Sequence, residues 1–274
     1  MLRLAGIDVN AISIGGVETC IDLPGHKLCF DLGRAPDFAT SRATVLFTHA
    51  HVDHMAGAVW HCATRKLRGM APPKYVVGRE NTEAFRELFE VWRRLDRSEM
   101  PHELVELSPG EELVLAPGRV VRAFRSPHRA PCQGYAVLSR RPKLRAEFRE
   151  LPPAEIAMRR ARGDELFDTV DVAEVAFPGD TRIEVVGREE LVRTARLLIL
   201  EATFVGDDVD VAHARETGHV HLREIAERAE LFENEAILLT HFSPRYSKAE
   251  IVAALDRLLP AGLRERCTPL LTGR

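Results

Sequence analysis

The stretch Thr48-His49-Ala50-His51-Val52-Asp53-His54 decides the interpretation of this chain. It closes the apolar run 43–47, which is typical of a buried strand, and it places three histidines and one carboxylate within six residues. A metal ion needs nitrogen and oxygen donors that converge on one point, and imidazole with carboxylate suits zinc or a similar first-row metal. The stretch therefore predicts metal ligands where a strand ends, against the alternative of a polar loop that contains histidines by chance.

Four more strand ends repeat this arrangement. Each is a short apolar or β-favouring run that is soon followed by His, Asp or Glu. The runs are 120–124 before Ser126-Pro127-His128, 173–177 before Pro178-Gly179-Asp180, 197–200 before Glu201-Ala202-Thr203, and 236–239 before Thr240-His241. Strand ends that share one edge of a sheet can direct their side chains at one place, and rigid strands hold ligands to the tolerance that a metal demands. The pattern therefore predicts one polar cluster at one sheet edge.

These residues resemble the motifs of a known family. The run His49-x-His51-x-Asp53-His54 resembles the signature of the metallo-β-lactamase superfamily. Other motifs resemble its ribonuclease Z branch, the endonucleases that trim tRNA 3′ ends: Ser126-Pro127-His128, Gly134-Tyr135, Gly179-Asp180-Thr181, Leu200-Glu201-Ala202-Thr203-Phe204, Gly218-His219 and Leu239-Thr240-His241-Phe242-Ser243-x-Arg245-Tyr246. The resemblance covers about residues 27–246. It implies an α/β fold, the αββα sandwich of two mixed β-sheets flanked by helices.

The resemblance also implies a dinuclear site with two Zn²⁺ ions. All seven ligand positions are filled: His49, His51 and His128 for one zinc, Asp53, His54 and His241 for the second, and Asp180 as the bridge. Asp53 would orient or deprotonate the attacking water, and His219, oriented by Glu201, would protonate the leaving group. Zinc is the default for this ligand set, although Mn²⁺ or Fe fits the same donors.

Several of these side chains have a plainer interpretation as well. The apolar residues of 222–229 have helical spacing, so His219 could simply cap a helix. Glu201 could be a strand-end carboxylate paired with an unrelated arginine. Four histidines match no ligand position and are expected at the surface: His26, His61, His102 and His213. His221 is expected to be exposed or packed.

The segment 140–163 departs from the ribonuclease Z pattern. That family has a long flexible arm here, with a glycine- and proline-rich tip that grips tRNA, whereas this segment is short and lacks such a tip. It contains eight Lys or Arg against three Glu, a net charge of +5. The charge indicates either contact with a phosphate backbone, for which Arg159-Arg160-x-Arg162 is the candidate, or a solvated pair of helices. A second departure is Asp31-Leu32-Gly33-Arg34, where the family has Gly-Glu-Gly-Thr after the aspartate.

Composition favours a single domain spanning residues 1–274. Hydrophobic residues form 45% of the chain, enough for a sizeable core, and the net charge of −3 excludes a global polycation for nucleic acid. Five cysteines without CxxC spacing favour a reducing compartment, the cytoplasm. No apolar run approaches the roughly 20 residues of a membrane span, and no signal peptide is evident, so no membrane partner is expected.

Periodicity predicts further elements along the chain. Strands are expected within 11–47, separated by Gly15-Gly16 and Pro24-Gly25, and at 75–77, 113–115, 120–124 and 135–138. Helices are expected at 81–94, around 187–194 and at 248–259. Strands and helices alternate in both halves, which suits two sheets with helices outside.

Two enzymatic functions follow from these features. The first is a metal-dependent phosphodiesterase that acts on RNA, as an endoribonuclease for tRNA 3′ ends or for other RNA. The second is hydrolysis of a small substrate on the same fold, such as a cyclic phosphodiester, a lactone or a thioester, which the short arm favours. A binding scaffold without chemistry is a third interpretation, and the complete ligand set argues against it. Because ribonuclease Z enzymes are commonly homodimers, the resemblance implies a homodimer whose partner is RNA, such as precursor tRNA.

Overall fold

Two mixed seven-stranded sheets form the centre of the computed structural model, which describes residues 1–272. The first sheet has its strands in chain order: β1 (Leu2–Leu4), β2 (Ile7–Ile14), β3 (Glu18–Leu23), β4 (Leu28–Phe30), β5 (Thr44–Leu46), β6 (Lys74–Val77) and β7 (Glu103–Glu106). The second sheet also has sequential neighbours: β8 (Glu112–Ala116), β9 (Arg119–Arg125), β10 (Gln133–Leu144), β11 (Phe167–Phe177), β12 (Leu197–Glu201), β13 (Ala236–Thr240) and β14 (Cys267–Pro269). The helices are α1 (Val52–Met55), α2 (Ala58–Leu67), α3 (Arg79–Asp96), α4 (Pro153–Ala161), α5 (Glu184–Arg188), α6 (Glu190–Thr194), α7 (Val211–Thr217), α8 (Leu222–Ala226), α9 (Lys248–Leu258) and α10 (Ala261–Arg264).

Apolar side chains are buried both between the sheets and under the helices. The layer between the sheets contains Phe30 from the first sheet and Phe177 from the second, whose ring centroids are 5.2 Å apart. Helix α3 covers the outer face of the first sheet through Phe85 and Phe89, since its apolar residues recur at helical spacing. Helices α8 and α9 cover the second sheet in the same way. This arrangement is the αββα sandwich, so the predicted fold is confirmed.

The strands that carry the predicted site residues all end at one edge. Strands β4 and β5 run parallel, with Phe30 opposite Leu46. Strands β12 and β13 also run parallel, and Glu201 lies opposite Thr240. Parallel strands bring their carboxyl ends to the same edge, so the residues that follow them meet there.

The basic segment 140–163 forms the end of strand β10 and the tip of a hairpin with one α-helix, and not the pair of helices that was one of its two interpretations. Strands β10 and β11 continue as an antiparallel pair beyond their neighbours, as far as Leu144 opposite Phe167. Arg140 stabilises this extension because its guanidinium binds the cross-strand Asp171 at 2.8 Å. The tip beyond β10 contains a short 3-10 helix, Ala146–Phe148, followed by α4. At about 3.4 Å per residue, the tip lies on the order of 30 Å from the edge at which β11 ends.

Most other predicted elements are confirmed, and one predicted helix is divided in two. The helix expected around 187–194 is two short helices, α5 and α6, because Glu189 between them has an extended backbone with φ −109° and ψ 110°. The helix expected from 248 begins there, and Ser247 caps it by accepting a hydrogen bond from the backbone of Glu250. Within residues 1–272, no helix has the length and apolar character needed to cross a membrane.

Candidate metal centre

The seven side chains predicted as metal ligands lie together at the carboxyl edge of the sheets. They form two groups, and within each group one ligand atom per residue lies within 4.8 Å of the others. The first group is His49, His51, His128 and Asp180; the second is Asp53, His54 and His241. Four separate strand ends and the start of α1 supply these residues, so the site exists only in the folded chain.

Asp180 lies between the two groups. Its Oδ2 is 3.7 Å from Nε2 of His49, and its Oδ1 is 3.3 Å from Nε2 of His54 and 3.4 Å from Nε2 of His241. Burial opposes ionisation of this carboxyl, but the neighbouring His241 and His54 outweigh burial and hold the pKa of Asp180 well below its usual range. The carboxylate is therefore ionised, and each of its oxygens faces a different group.

Most of the clustered histidines are held through Nδ1 and present Nε2 to the centre. The Nδ1 partners are Thr48 Oγ1 for His49 at 3.0 Å, Asp31 Oδ2 for His54 at 2.8 Å, the Gly218 carbonyl for His128 at 2.8 Å and Thr203 Oγ1 for His241 at 2.9 Å. Nε2 of His49 and Nε2 of His128 are buried without a hydrogen-bond partner in the described part of the chain. A buried nitrogen without a partner is costly, and a divalent cation would supply the missing one. The residues present fit a metal.

Burial also keeps several of these imidazoles in the form that binds metals. It lowers the pKa of His51 and of His128, and it lowers the pKa of His49 well below the ordinary value, with further repulsion from His54. A neutral imidazole has a free lone pair for a cation, whereas a protonated one has none. The electrostatics of the first group therefore favour metal binding at neutral pH.

Asp31 supports the first histidines from beneath. Its Oδ2 accepts hydrogen bonds from His54 and from the Thr48 hydroxyl, at 2.8 and 2.9 Å, and its Oδ1 accepts one from the Thr48 backbone at 2.8 Å. The Thr48 hydroxyl, having donated to Asp31, accepts from Nδ1 of His49. Sequence reasoning gave Asp31 no role and noted only the departure that follows it. The available signal was a carboxylate directly after the buried strand β4.

Glu201 supports the opposite side of the site in the same way. Its Oε1 is 3.0 Å from Nδ1 of His219, and its Oε2 accepts a hydrogen bond from the Thr203 hydroxyl at 2.5 Å. The backbone amides of Thr181 and Val220 also donate to this carboxylate. Glu201 is fully buried and its polar contacts lie in the site, so the alternative of an unrelated arginine partner does not apply.

The contact with Glu201 favours a protonated His219. Burial of the ring opposes protonation, but the Glu201 carboxylate and then Asp180 outweigh it and raise the pKa of His219 to about 9. The ring of His219 stacks at 5.3 Å from that of His241 and lies 5.2 Å from that of His128. His219 is therefore beside both groups rather than on the surface of a helix, and α8 is capped by His221 instead.

Asp53 is the more accessible carboxylate of the site. Its Oδ2 accepts a hydrogen bond from the Gly16 amide at 3.0 Å and lies 3.5 Å from Nε2 of His241. Burial raises the pKa of this carboxyl, but the contacts with His241 and His54 prevail and lower it to about 2. Asp53 is thus an ionised acceptor at the open side of the site.

The backbone beneath Asp180 requires glycine. Gly179 has φ +69°, and a Cβ atom there would lie 2.6 Å from Cβ of Thr48, closer than any real contact. Asp31 and His241 also have left-handed φ values, of 55° and 59°. Such conformations are strained for residues with a Cβ and persist only where the surrounding contacts hold them.

The remaining histidines lie outside the cluster. His213 is exposed, as predicted, whereas the surface prediction for His61 is wrong. His61 is buried beneath α2, with its Nδ1 2.9 Å from the Tyr75 hydroxyl. His26 and His102 are half-buried, and the ring of His102 packs 4.1 Å from that of Phe89. The burial of His61 was not predictable because the sequence around it shows no apolar pattern that would place this side chain on the inner face of α2.

Comparison with known proteins places this site in a family. Residues 29–242 match the sequence model of the β-lactamase superfamily domain. The protein tRNase Z TRZ1 of Arabidopsis thaliana is 42% identical over 261 residues, which are 94% of this chain and 93% of that protein. The chain belongs to the tRNase Z family. A second relative, the chloroplastic tRNase Z TRZ2 of the same plant, is 37% identical over 94% of this chain and 73% of its own length.

Solved structures share the fold of this tRNase Z family member. The short form of human tRNase Z matches with a TM-score of 0.61 and 22% identity, over 86% of this chain and 93% of that one. The metallo-β-lactamase fold protein YhfI of Bacillus subtilis matches with a TM-score of 0.65 and 15% identity, over 98% of both chains. At these identities the likeness concerns the fold alone, and it agrees with the sandwich described above.

Proposed function

We propose that this tRNase Z family member is a metal-dependent endoribonuclease that removes the 3′ trailer from precursor tRNA. The position of Asp180 carries the proposal, because its two carboxylate oxygens face two separate groups of ligands. Two groups joined by a carboxylate suit a pair of metals that stabilises both the attacking and the leaving oxygen of a phosphodiester. The relatives named tRNase Z connect this chemistry to tRNA.

We assign two zinc ions to the site. His49, His51 and His128 would hold one, Asp53, His54 and His241 the other, and Asp180 would bridge them; Mn²⁺ or Fe suits the same donors. When bound, such ions lower the pKa of water to about 7 and offset the charge that develops around phosphorus. Burial keeps the imidazoles of His49, His51 and His128 neutral, so this first group can accept an ion without first losing protons.

Two side chains of the protein, Asp53 and His219, transfer the protons of the reaction. Asp53 orients the attacking water and accepts its proton, while the new bond forms between the water oxygen and phosphorus. The bond from phosphorus to the ribose 3′ oxygen breaks, and His219 donates the proton that this oxygen needs. Glu201 binds Nδ1 of His219, so Nε2 is the atom that remains to donate the proton. The Glu201 carboxylate also stabilises the charged ring before the proton is transferred.

The basic hairpin, formed by segment 140–163 and the start of β11, binds RNA at a distance from the metals. Four of its basic side chains have no acidic partner among the described residues: Lys143, Arg149, Arg160 and Arg162. The hairpin tip lies at the opposite end of β10 and β11 from the ligands, so an RNA that touches both must span on the order of 30 Å. A structured tRNA satisfies that demand better than a small substrate does.

We also propose a homodimer and a cytoplasmic location, the latter because all five cysteines are free thiols.

The direct test is cleavage of a precursor tRNA with a 3′ trailer by purified protein loaded with zinc or manganese. A single cut after the discriminator base, lost on Asp53→Ala, is expected. A protein that leaves the precursor intact but hydrolyses bis(p-nitrophenyl) phosphate would contradict the proposal. That result would favour a small phosphodiester substrate on the same site.

A further inference from the structure

A cleft of about 440 Å³ opens beside His128, and three arginines line it. Arg125 ends β9, Arg129 follows the metal-ligand candidate directly, and Arg188 ends α5 on the facing wall. Each arginine is exposed. The cleft therefore starts at the proposed metal centre and is basic from its first residues.

The guanidinium groups of these three arginines make no hydrogen bond or ion pair with any other residue of 1–272. Several exposed arginines elsewhere in the fold do have acceptors: Arg79 binds Glu106, Arg223 binds Asp207, and Arg245 binds Asp208. Two carboxylates, Glu80 and Glu189, also line the cleft, and neither lies within ion-pairing distance of the three guanidinium groups. Guanidinium groups left without acceptors in one cleft are suited to bidentate contacts with phosphate oxygens.

The cleft continues into a second cavity of about 270 Å³. Glu80, Arg125, Pro131 and Cys132 line both cavities, so the two form one groove. At its far end lies the first turn of the 18-residue helix α3, whose cap residue Gly78 offers no side-chain acceptor to the free amides. The positive end of a long helix favours negative charge, which adds to the effect of the arginines.

We infer that this groove binds the phosphodiester backbone of the RNA strand next to the scissile bond, with Arg125, Arg129 and Arg188 as its phosphate ligands. The inference rests on the proposed function, since it deepens the description of the same substrate. The basic hairpin cannot perform this role, because its tip lies at the opposite edge of the sheets. The groove and the hairpin would thus contact separate parts of one RNA.

The test compares two double variants that remove the same charge. Arg125→Gln/Arg188→Gln alters the groove from both walls and leaves Arg129, the neighbour of His128, in place. Arg94→Gln/Arg97→Gln alters two exposed arginines at the far end of α3, on the order of 20 Å from its first turn, whose guanidinium groups have no acceptor within the described residues. The value of kcat/KM for a precursor tRNA is measured for each protein as a function of salt concentration.

The groove variant is expected to lose at least about tenfold in kcat/KM at low salt, mostly through KM. The slope of log kcat/KM against log salt should become shallower by about 1.4, because each lost phosphate contact of a single strand contributes about 0.7. The Arg94/Arg97 variant should keep the slope of the unaltered protein. Equal slopes for the groove variant and the unaltered protein would overturn the inference while leaving the proposed function intact.

Trailer length separates the two sides of the scissile bond. A loss seen with a trailer of many nucleotides but absent with a trailer of one nucleotide assigns the groove to the trailer. An equal loss with both substrates assigns it to the acceptor strand, and both results support phosphate binding. If the unaltered protein cuts neither substrate, the proposed function fails and this inference fails with it.

Discussion

Thr48 and Thr203 occupy equivalent positions on the two sides of the proposed metal centre. Each hydroxyl donates to a buried carboxylate, Asp31 or Glu201, and accepts from Nδ1 of a histidine, His49 or His241. Each carboxylate also binds a second histidine directly. Both halves of the sandwich therefore fix the orientation of a histidine ring through the same hydrogen-bond relay, which runs from carboxylate to threonine hydroxyl to histidine Nδ1. The direction of Nε2 thus depends on residues that would touch no metal.

Replacement of Thr203 by valine should weaken metal binding. The substitution keeps the shape of the side chain but removes the acceptor for His241 Nδ1 and the donor to Glu201, so both the tautomer and the ring orientation lose their support. Loss of such a supporting hydrogen bond typically costs about 10- to 100-fold in metal affinity or activity. Competition with a coloured zinc chelator would measure the affinity. Thr194→Val on the exposed end of α6 is the matched control, and equal affinities for the two variants would contradict the relay.

Loss of His219 should reduce the rate most when the leaving oxygen is a poor leaving group. A ribose 3′ oxygen needs a proton as it departs, whereas p-nitrophenolate departs without one. His219→Ala should therefore reduce cleavage of precursor tRNA by about 10²- to 10⁴-fold and reduce hydrolysis of bis(p-nitrophenyl) phosphate far less. The ratio of the two losses is the measurement. Equal losses with both substrates would indicate that His219 holds the metal or the fold instead of donating a proton.

Alanine at Gly179 should destabilise the site beyond the cost of its backbone conformation. Gly179 and Gly163 have left-handed φ values of +69° and +87°, but only at Gly179 does an added Cβ meet another atom, at 2.6 Å from Thr48. Gly163→Ala should cost about 1 kcal/mol in the free energy of unfolding. Gly179→Ala should cost about 1–3 kcal/mol more, from the clash. Urea denaturation of both variants would test the difference, and equal costs would show that Thr48 moves aside freely.

The buried His61 should make stability depend on pH. Burial, together with the nearby Arg65, lowers the pKa of His61 to about 4, whereas an unfolded chain has a histidine pKa of about 6.5. Between these values the unfolded chain takes up a proton that the folded protein refuses. The free energy of unfolding therefore falls as the pH decreases from about 6.5 to about 4, by up to about 1.4 kcal/mol per pH unit from this residue.

The variant His61→Asn isolates that contribution. Asparagine can still donate a hydrogen bond to the Tyr75 hydroxyl but does not titrate. Urea denaturation at pH 7.5 and pH 5 should show a smaller loss of stability for His61→Asn than for the unaltered protein. An identical loss for both would mean that other groups, such as His26 and His102, account for the acid sensitivity.

The sandwich and the seven candidate ligands follow from motifs that resemble the superfamily, and the clustering of strand-end side chains follows from a pattern visible over short range. A buried strand followed by His, Asp or Glu is visible in a window of ten residues, as at 236–241. The role of Asp31 was not predicted because its partners, Thr48 and His54, are distant in sequence, and no local pattern pairs these residues. The hairpin at 140–163 could not be predicted for a similar reason, since Arg140 is charged and half-buried and its cross-strand partner Asp171 lies 31 residues away in sequence.

The hairpin formed by β10 and β11 has a consequence for how such proteins can vary. The site depends on one end of these strands, where Gln133 begins β10 and Asp180 follows β11, while the other end extends past the rest of the sheet. Each residue pair added at the tip lengthens the reach by about 3.4 Å and leaves the carboxyl edge in register. Insertions and deletions there can adapt the protein to RNAs of different size while the chemistry at the opposite end stays the same.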